Sequence, residues 1–306
     1  MILIITHKKD YTVDFVVEKL NSSGHKYLRY NTEDLLTNRD ISVQFNGKLC
    51  LKIRGTKRIK SVWFRRIKLP DLLDADINIK NYIHDELESF LNNLWHLMDA
   101  KWLSHPTFIY EAENKLFQLK EALNVGFAIP HTLVSSNVSE INKFYQTHEE
   151  NVIIKPIYNN RFFDGKSDKL IFTNKLTYDY IQKLNDYLPL PSIFQSYIDK
   201  EIELRVTVVG KKVFSAYVDS QSDQNTKIDW RRGKLKFHSY NLPERVEEKC
   251  IALVKKLKLS FGAIDIIKDK KGNYIFLEIN PNGQWAWIEM DTGLQISDAI
   301  ISYLME

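Results

Sequence analysis

The run FGAIDIIKDKKGNYIFLEINP, residues 261–281, carries two carboxylates and an amide at a spacing that can bring three oxygen donors together. If Lys271-Gly272 forms the loop of a hairpin, Lys270 faces Asn273, every later pair keeps that register, and Asp265 sits opposite Glu278; a four-residue loop centred there preserves the pairing. Side chains alternate faces along a strand, so Asn280 shares the face of Glu278 while Leu277 and Ile279 point away with Ile264 and Ile266. Like charges directly across strands repel. Basic side chains, protonation or a cation must compensate. Magnesium takes oxygen ligands and relies on one or two carboxylates plus substrate phosphates, which suits Asp265, Glu278 and Asn280. The alternative is a solvated hairpin whose acids face water.

A metal held with phosphates needs cationic side chains from elsewhere. Lys155 closes the apolar run Val152-Ile153-Ile154 and precedes Pro156, which places it at a strand end. Lys115 lies near the start of a helix, where unpaired N–H groups and the macrodipole favour anions. Arg205, Arg231 and Arg232 complete a clamp, since guanidinium pairs bidentately with phosphate or carboxylate. A charged loop is the ordinary alternative for Arg231 and Arg232. Arg65 and Arg66 end a strand where ligand sites of α/β sheets collect and could orient an acceptor carboxylate, with a structural ion pair as the alternative for either. Gly165-Lys166-Ser167 resembles the end of a phosphate-binding loop, but the required first glycine would fall at Asn160. The patterns HExxH, GxSxG and GxGxxG do not occur, and the eight histidines show no ligand spacing.

The elements that must position these residues follow from periodicity. Ile2–Ile5 is an unbroken apolar run, Val13, Val16, Val17 and Leu20 share one helical face, and Tyr27–Tyr30 makes a second strand. This β-α-β opening implies a parallel sheet. A hairpin turns at Asn46-Gly47, Ser61–Phe64 is a strand, and Leu87, Leu91, Leu94 and Met98 mark a long helix. A helix carrying Leu116, Leu119 and Leu123 ends at Gly126. Strands are expected at Thr132–Val134, Val152–Ile154, Leu170–Thr173 and Ile193–Gln195, with helices at Ser139–Tyr145 and near residues 177–187. Leu204, Val206 and Val208 alternate with Arg205 and Thr207, Val213–Val218 follows, and Val246, Cys250, Leu253 and Leu257 make an amphipathic helix. The final hairpin precedes a helix with Ile296, Ile300 and Leu304.

With 306 residues, 44% hydrophobic and 27% charged, the chain is sized for two or three globular domains. A net charge of +4 could favour an anionic ligand but does not argue for nucleic acid, and no nucleic-acid-binding signature accompanies the aromatic residues. Cys50 and Cys250 fit neither a disulfide framework nor a metal knuckle, so a cytoplasmic location is expected. No apolar run approaches the ~20 residues of a membrane span, and MILII is too short for the apolar core of a signal peptide. No membrane association is expected.

Taken in order, FLEINPNGQWAW, FGAIDII, FQSYI followed by ELRVTVVG, and NVIIKP resemble the ATP-grasp superfamily. The segments VWFRRIKLP, NKLFQLKEALNVGFAIP and KIDWRRG are similar to its microviridin-type peptide maturases, the graspetide synthetases. That resemblance implies an α/β (α+β) ATP-grasp fold. It comprises an N-terminal Rossmann-like pre-ATP-grasp domain at 1–108, a central lid subdomain at 109–196 and a C-terminal mixed-sheet subdomain at 197–306. It also implies ATP and Mg2+ as cofactors, with Lys115 and Lys155 on the ATP phosphates and Gln195, Ser196, Tyr197 and Ile198 at the interdomain hinge, where backbone at Tyr197 and Ile198 would read adenine. Glu203 would meet the ribose, Asp265, Glu278 and Asn280 would bind magnesium, and Arg205 and Arg232 would assist phosphoryl transfer. The expected reaction phosphorylates Asp or Glu side chains of a ribosomal precursor peptide and closes side-chain esters or amides within it. Arg161, Phe162 and Asp164 are expected to recognise its leader, and a homodimer is allowed. The glycine-rich phosphate-covering loop of many relatives is missing here, since Tyr158–Lys169 contains only Gly165. Alternatives are a ligase joining a free amino acid to a peptide or protein end, and a non-catalytic ATP-binding module.

Overall fold

The computed structural model describes residues 1–56, 58–73, 75–158, 161–163, 167–186 and 190–306. The N-terminal run forms β1 (Ile2–Thr6), α1 (Tyr11–Ser22) and β2 (Tyr27–Asn31), followed by the short helix α2 (Leu35–Asn38) and the hairpin β3 (Ile41–Phe45) and β4 (Leu49–Ile53). Then come β5 (Ser61–Phe64), α3 (Ile77–Leu97) and β6 (Lys101–Trp102). The strands β2-β1-β5-β6 pair in that order, all parallel, as the β-α-β opening predicts. Ile2–Ile5 is 0–2% exposed because β1 is flanked by strands and covered on both faces. Asp10 caps α1 by accepting the Thr12 and Val13 N–H groups, and Val13, Val16 and Leu20 are buried.

Next follow α4 (Pro106–Ala112), α5 (Lys115–Asn124), β7 (Thr132–Ser135), α6 (Val138–Thr147) and β8 (Val152–Lys155). The hairpin β9 (Arg161–Phe163) and β10 (Asp168–Leu170) leads to β11 (Asn174–Lys175), α7 (Tyr178–Gln182) and β12 (Ser192–Ser196). Strands β11-β8-β12-β7 make an antiparallel sheet over the separate core of Ile141, Tyr145, Val152, Leu176, Ile181, Leu184 and Phe194. The strand expected at Leu170–Thr173 is divided, since Leu170 pairs with Arg161 while Asn174 pairs with Ile154. The stripe expected on α5 is also different. Leu116 and Leu123 are exposed, and Gln118, Leu119, Glu121 and Ala122 are buried. The reason is the strand beyond the helix, whose edge needs a polar partner, as described below.

The last third contains β13 (Lys200–Val209), β14 (Lys212–Val218), β15 (His238–Ser239), α8 (Glu244–Lys256), β16 (Phe261–Asp269) and β17 (Tyr274–Asn280). It ends with α9 (Ala286–Thr292) and α10 (Ile296–Met305). Strands β15-β14-β13-β16-β17 pair antiparallel, and a parallel bridge from Ala128 to Ile275 makes the β17 edge mixed. Val246, Cys250, Leu253 and Val254 of α8 pack on one face of this sheet, and α10 contributes Ile296, Ile300 and Leu304. Both larger cores are shared between the first and last thirds: one joins Leu3, Ile5 and Phe64 to Val206 and Ile264, the other joins Ile2 and Trp63 to Trp285 and Ile300. Among the described residues, no helix is long and apolar enough to cross a membrane.

Candidate functional site

Asp265 stands opposite Glu278, as expected, but the hairpin reaches that register by another route. Asp269 N–H donates to Asn273 O at 3.0 Å, so three residues, 270–272, form the loop and Lys268 pairs with Tyr274. Gly272 takes φ +83° there, a conformation that favours glycine. The expected facing of Lys270 and Asn273 is therefore incorrect. A bulge between Asp265 and Ile266 accommodates Leu277 as the extra residue, and the register is restored at Glu278. Phe276, not Leu277, takes the core position opposite Ile266 and is 0% exposed.

Asn280 lies two residues beyond Glu278, and its Nδ2 donates to Asp265 Oδ2 at 3.4 Å. Arg205, paired with Asp265 across β13 and β16, donates from Nη1 to both carboxylate oxygens at 2.8 and 2.9 Å. Burial pushes the Asp265 carboxyl above its ordinary value, against the Arg205 charge and with the Glu278 charge adding to the rise. Burial also opposes ionisation of Glu278, yet Lys155, Lys115, Arg231 and Arg205 outweigh it and hold Glu278 below the usual carboxylate range. The two carboxylates thus tolerate each other because cations surround them.

Lys155 ends β8 and Lys115 opens α5, so two separate elements deliver ammonium groups toward Glu278. Burial lowers both lysines, and Glu278 opposes that shift. Lys115 Nζ donates to Pro156 O at 2.9 Å, which ties α5 to the end of β8. Arg231 contributes charge to the same carboxylates and is forked onto Asp229, with Nε to Oδ1 at 2.7 Å and Nη2 to Oδ2 at 2.6 Å. Arg232 goes elsewhere. Its Nη2 donates to Thr173 O at 3.0 Å and Asn174 Oδ1 at 2.6 Å, and its guanidinium lies over Phe172.

The residues expected at a nucleotide base lie at the end of β12. Gln195 is fully buried, its Nε2 donates to Thr132 Oγ1 at 2.9 Å, and its Oε1 has no partner. A buried acceptor without a donor is costly. Ser196 and Tyr197 spend their N–H groups on His131 O and Asn151 O, and Ile198 is half-buried behind them. Glu203 accepts from Lys200 Nζ at 2.6 Å. Burial raises its pKa despite that lysine.

Arg65 is sealed, 1% exposed and paired with Asp10, while Arg66 is exposed beside Glu113, whose carboxyl burial raises above its ordinary value against the Arg66 charge. Arg161 and Phe162 lie on β9, paired with Leu170 and Lys169, and Asp164 lies outside the described residues.

Gln118 and Gly283 are participants that sequence reasoning missed. Gln118 Nε2 donates to Ile279 O at 2.8 Å and its Oε1 accepts from Ile279 N–H at 3.0 Å. One amide therefore closes the backbone of the edge strand β17 between Glu278 and Asn280. Its only sequence signal is its place three residues after Lys115, on the same helical face. Gly283 lets the chain pass under Arg205: a Cβ there would stand 2.5 Å from Ala263 Cβ and 2.8 Å from Arg205 Nη2.

The donor set fits magnesium. Asp265 and Glu278 face each other with the Asn280 amide in contact, two carboxylates and an amide that magnesium can take together with phosphate oxygens; among the described residues there is no group of three or more His, Cys, Asp and Glu that could hold a metal ion. Rotating the Asn280 amide presents its oxygen where its nitrogen now lies. Half-buried Lys115 and Lys155 likewise fit the phosphates of a nucleoside triphosphate.

A family model described as the MvdD pre-ATP grasp domain matches residues 1–109, and one described as the RimK-like ATP-grasp domain matches residues 112–304. A Chryseobacterium gregarium RiPP-associated ATP-grasp ligase, solved with ADP and a leader and core peptide, is 30% identical with a TM-score of 0.88; 99% of this chain and 96% of that chain are covered. Macrocyclase MdnC from Microcystis aeruginosa MRC, bound with precursor peptide MdnA, is 27% identical with a TM-score of 0.87, over 100% of this chain and 99% of that one. Macrocyclase MdnB from the same organism is 30% identical with a TM-score of 0.80, over 99% and 98%. No curated protein matches the chain.

Proposed function

This chain belongs to the ATP-grasp family of ligases, and we propose that it closes rings within a ribosomally made precursor peptide. A side-chain carboxylate of the peptide attacks the γ-phosphorus of ATP, the bond to the bridging oxygen breaks, and an acyl phosphate and ADP result. A Ser or Thr hydroxyl, or a Lys amine, of the same peptide then attacks the acyl carbon. Phosphate leaves and the attacking group gives up its proton, so each ring leaves the peptide lighter by one water. Phosphorylation is needed because a carboxylate is a poor electrophile.

In this reading the protein positions and neutralises. Lys115 and Lys155 hold phosphates, Gln195, Ser196, Tyr197 and Ile198 form the hinge with backbone at Tyr197 and Ile198 meeting adenine, and Glu203 meets the ribose. Asp265, Glu278 and Asn280 hold magnesium, which when bound offsets charge on the transferred phosphoryl group. Arg205 braces Asp265 from the protein side, Arg231 adds charge with Arg232 behind it, and Arg66 meets the acceptor carboxylate. Recognition of the leader falls to Arg161, Phe162 and Asp164 of the 158–169 segment. We place the unit boundaries near residues 108 and 196.

The observation that carries this reading is the likeness along 99% of the chain to a ligase bound to ADP, leader and core peptide. Mass spectrometry of a co-encoded short peptide, incubated with the protein, ATP and magnesium, tests it. Products lighter by whole waters are expected. ADP without dehydrated peptide, or a peptide heavier by an amino acid, would overturn it.

A further inference from the structure

Arg65 directly follows β5, where a ligand-facing side chain is expected, yet its guanidinium is enclosed. Its Nε faces Asp10 Oδ2 at 3.4 Å, Nη1 donates to the carbonyls of Asn282 and Gly283 at 3.2 and 3.4 Å, and Nη2 donates to Gln284 Oε1 at 3.4 Å. Asn282 Nδ2 returns to Arg65 O at 3.3 Å. Asp10 is itself fixed by Thr6 Oγ1 at 2.8 Å and by capping α1, and Thr12 Oγ1 also donates to Gln284 Oε1.

The same loop touches the other arginine. Arg205 Nη2 donates to Gln284 O at 3.4 Å while its Nη1 holds Asp265. The carbonyls of residues 282, 283 and 284 therefore rest on two guanidiniums, and Gly283 packs against Arg205 with no room for a methyl group. A shift of the loop toward β16 must move Arg205.

We propose that Arg65, anchored by Asp10, is a positioning residue that fixes the 281–285 loop and thereby keeps Arg205 on Asp265 beside Glu278. The inference rests on the reading of that carboxylate face as the site of phosphoryl transfer. Lysine at 65 would keep the charge opposite Asp10 but could not serve three acceptors in a planar fork, so the loop would loosen without loss of the ion pair.

The test uses the full chain with Arg65→Lys, Arg205→Lys and the double variant. Amide exchange at residues 282–285 should quicken in R65K while β1 and β5 stay protected. With the precursor peptide, kcat for ADP formation should fall ~10–100-fold, as for residues that orient ligands from behind, while KM for ATP stays near the wild-type value, since an interaction made only in the transition state lowers kcat and not substrate binding. The double variant should be no slower than R205K alone. Independent multiplication of the two losses, an unchanged kcat, or exchange loosened throughout the parallel sheet would each overturn the proposal. Gln284→Ala, which spares the ion pair, should lower kcat in the same direction, and no effect there counts against the proposal if R65K does not fold. A wild type that forms no dehydrated peptide rejects the macrocyclase reading, whereas the exchange measurement still decides this one.

Discussion

Two arginine–carboxylate pairs flank the loop 281–285, and the environment around each gives the same chemistry a different use. Arg65 and Asp10 are both 1% exposed at the side chain, whereas Arg205 and Asp265 are 10% and 20% exposed. Burial lowers Arg65 from its ordinary value, but a guanidinium remains cationic. Its charge, with the Thr6 hydroxyl, keeps Asp10 below the ordinary carboxylate value against the opposing effect of burial. Asp265 shares its surroundings with Glu278 and is pushed the other way. A sealed pair with every guanidinium nitrogen engaged is built to position; a less enclosed pair beside a second carboxylate and two lysines is placed to exchange partners with an anion or a cation.

The largest effect expected from breaking this contrast is at Glu278. Glu278→Gln should lower ADP formation by at least ~10²–10³-fold, the range for loss of one transition-state stabiliser, with thermal unfolding hardly moved. A variant with normal turnover would remove the carboxylate face from the chemistry.

Asp10→Asn and Asp265→Asn separate the two pairs. Stranding Arg65 without its counter-charge should cost about 3–5 kcal/mol in urea unfolding, while Asp265→Asn should cost less stability and far more activity. The pH dependence has a definite sign. A carboxyl lowered on folding contributes stability above its unfolded pKa of about 3.9 and loses that contribution as pH falls through the lower folded value. The gap between wild type and Asp10→Asn should therefore hold from neutral pH to about pH 4 and close below it. A gap unchanged in strong acid would assign the loss to packing instead.

Gly283→Ala should be felt on both sides of the loop. Overpacking of this kind costs about 1–3 kcal/mol, and displacement of Arg205 should slow ADP formation as well. Unchanged kinetics would mean that the loop moves without carrying Arg205. The smallest contrast is between neighbours: Arg231→Ala should weaken turnover about 10-fold or more, the lower end for a residue supporting a charged site. Arg232→Ala should change it by less than about 3-fold, since exposed contacts are worth ~0–1 kcal/mol. Equal effects would return Arg232 to the phosphates.

Much of the fold was legible because it depends on local periodicity. The run Ile2–Ile5, the face Val13-Val16-Leu20 and the stripe Ile296-Ile300-Leu304 each form the element that their spacing implies. The family was legible from ordered segments along the chain. Leu116 and Leu123 misled, because the buried face of α5 is chosen by the need of β17 for Gln118 rather than by hydrophobicity alone. The facing of Asp265 and Glu278 was legible only through compensation, a three-residue loop on one side and a bulge at Leu277 on the other.

By itself the sequence determined which segments become strands and helices, and which side chains are available to hold anions and cations. Those properties are set by alternation, apolar spacing and residue chemistry within short stretches. Only the tertiary structure decided that Arg65 is enclosed while Arg66 is exposed, that Arg231 is forked onto Asp229 while Arg232 reaches Thr173 and Asn174, and that one glutamine secures the strand carrying Glu278. The physical reason is that a charged side chain takes its role from desolvation and from neighbours distant in the chain, such as Asp10, 55 positions from Arg65, and Asp265, 60 positions from Arg205.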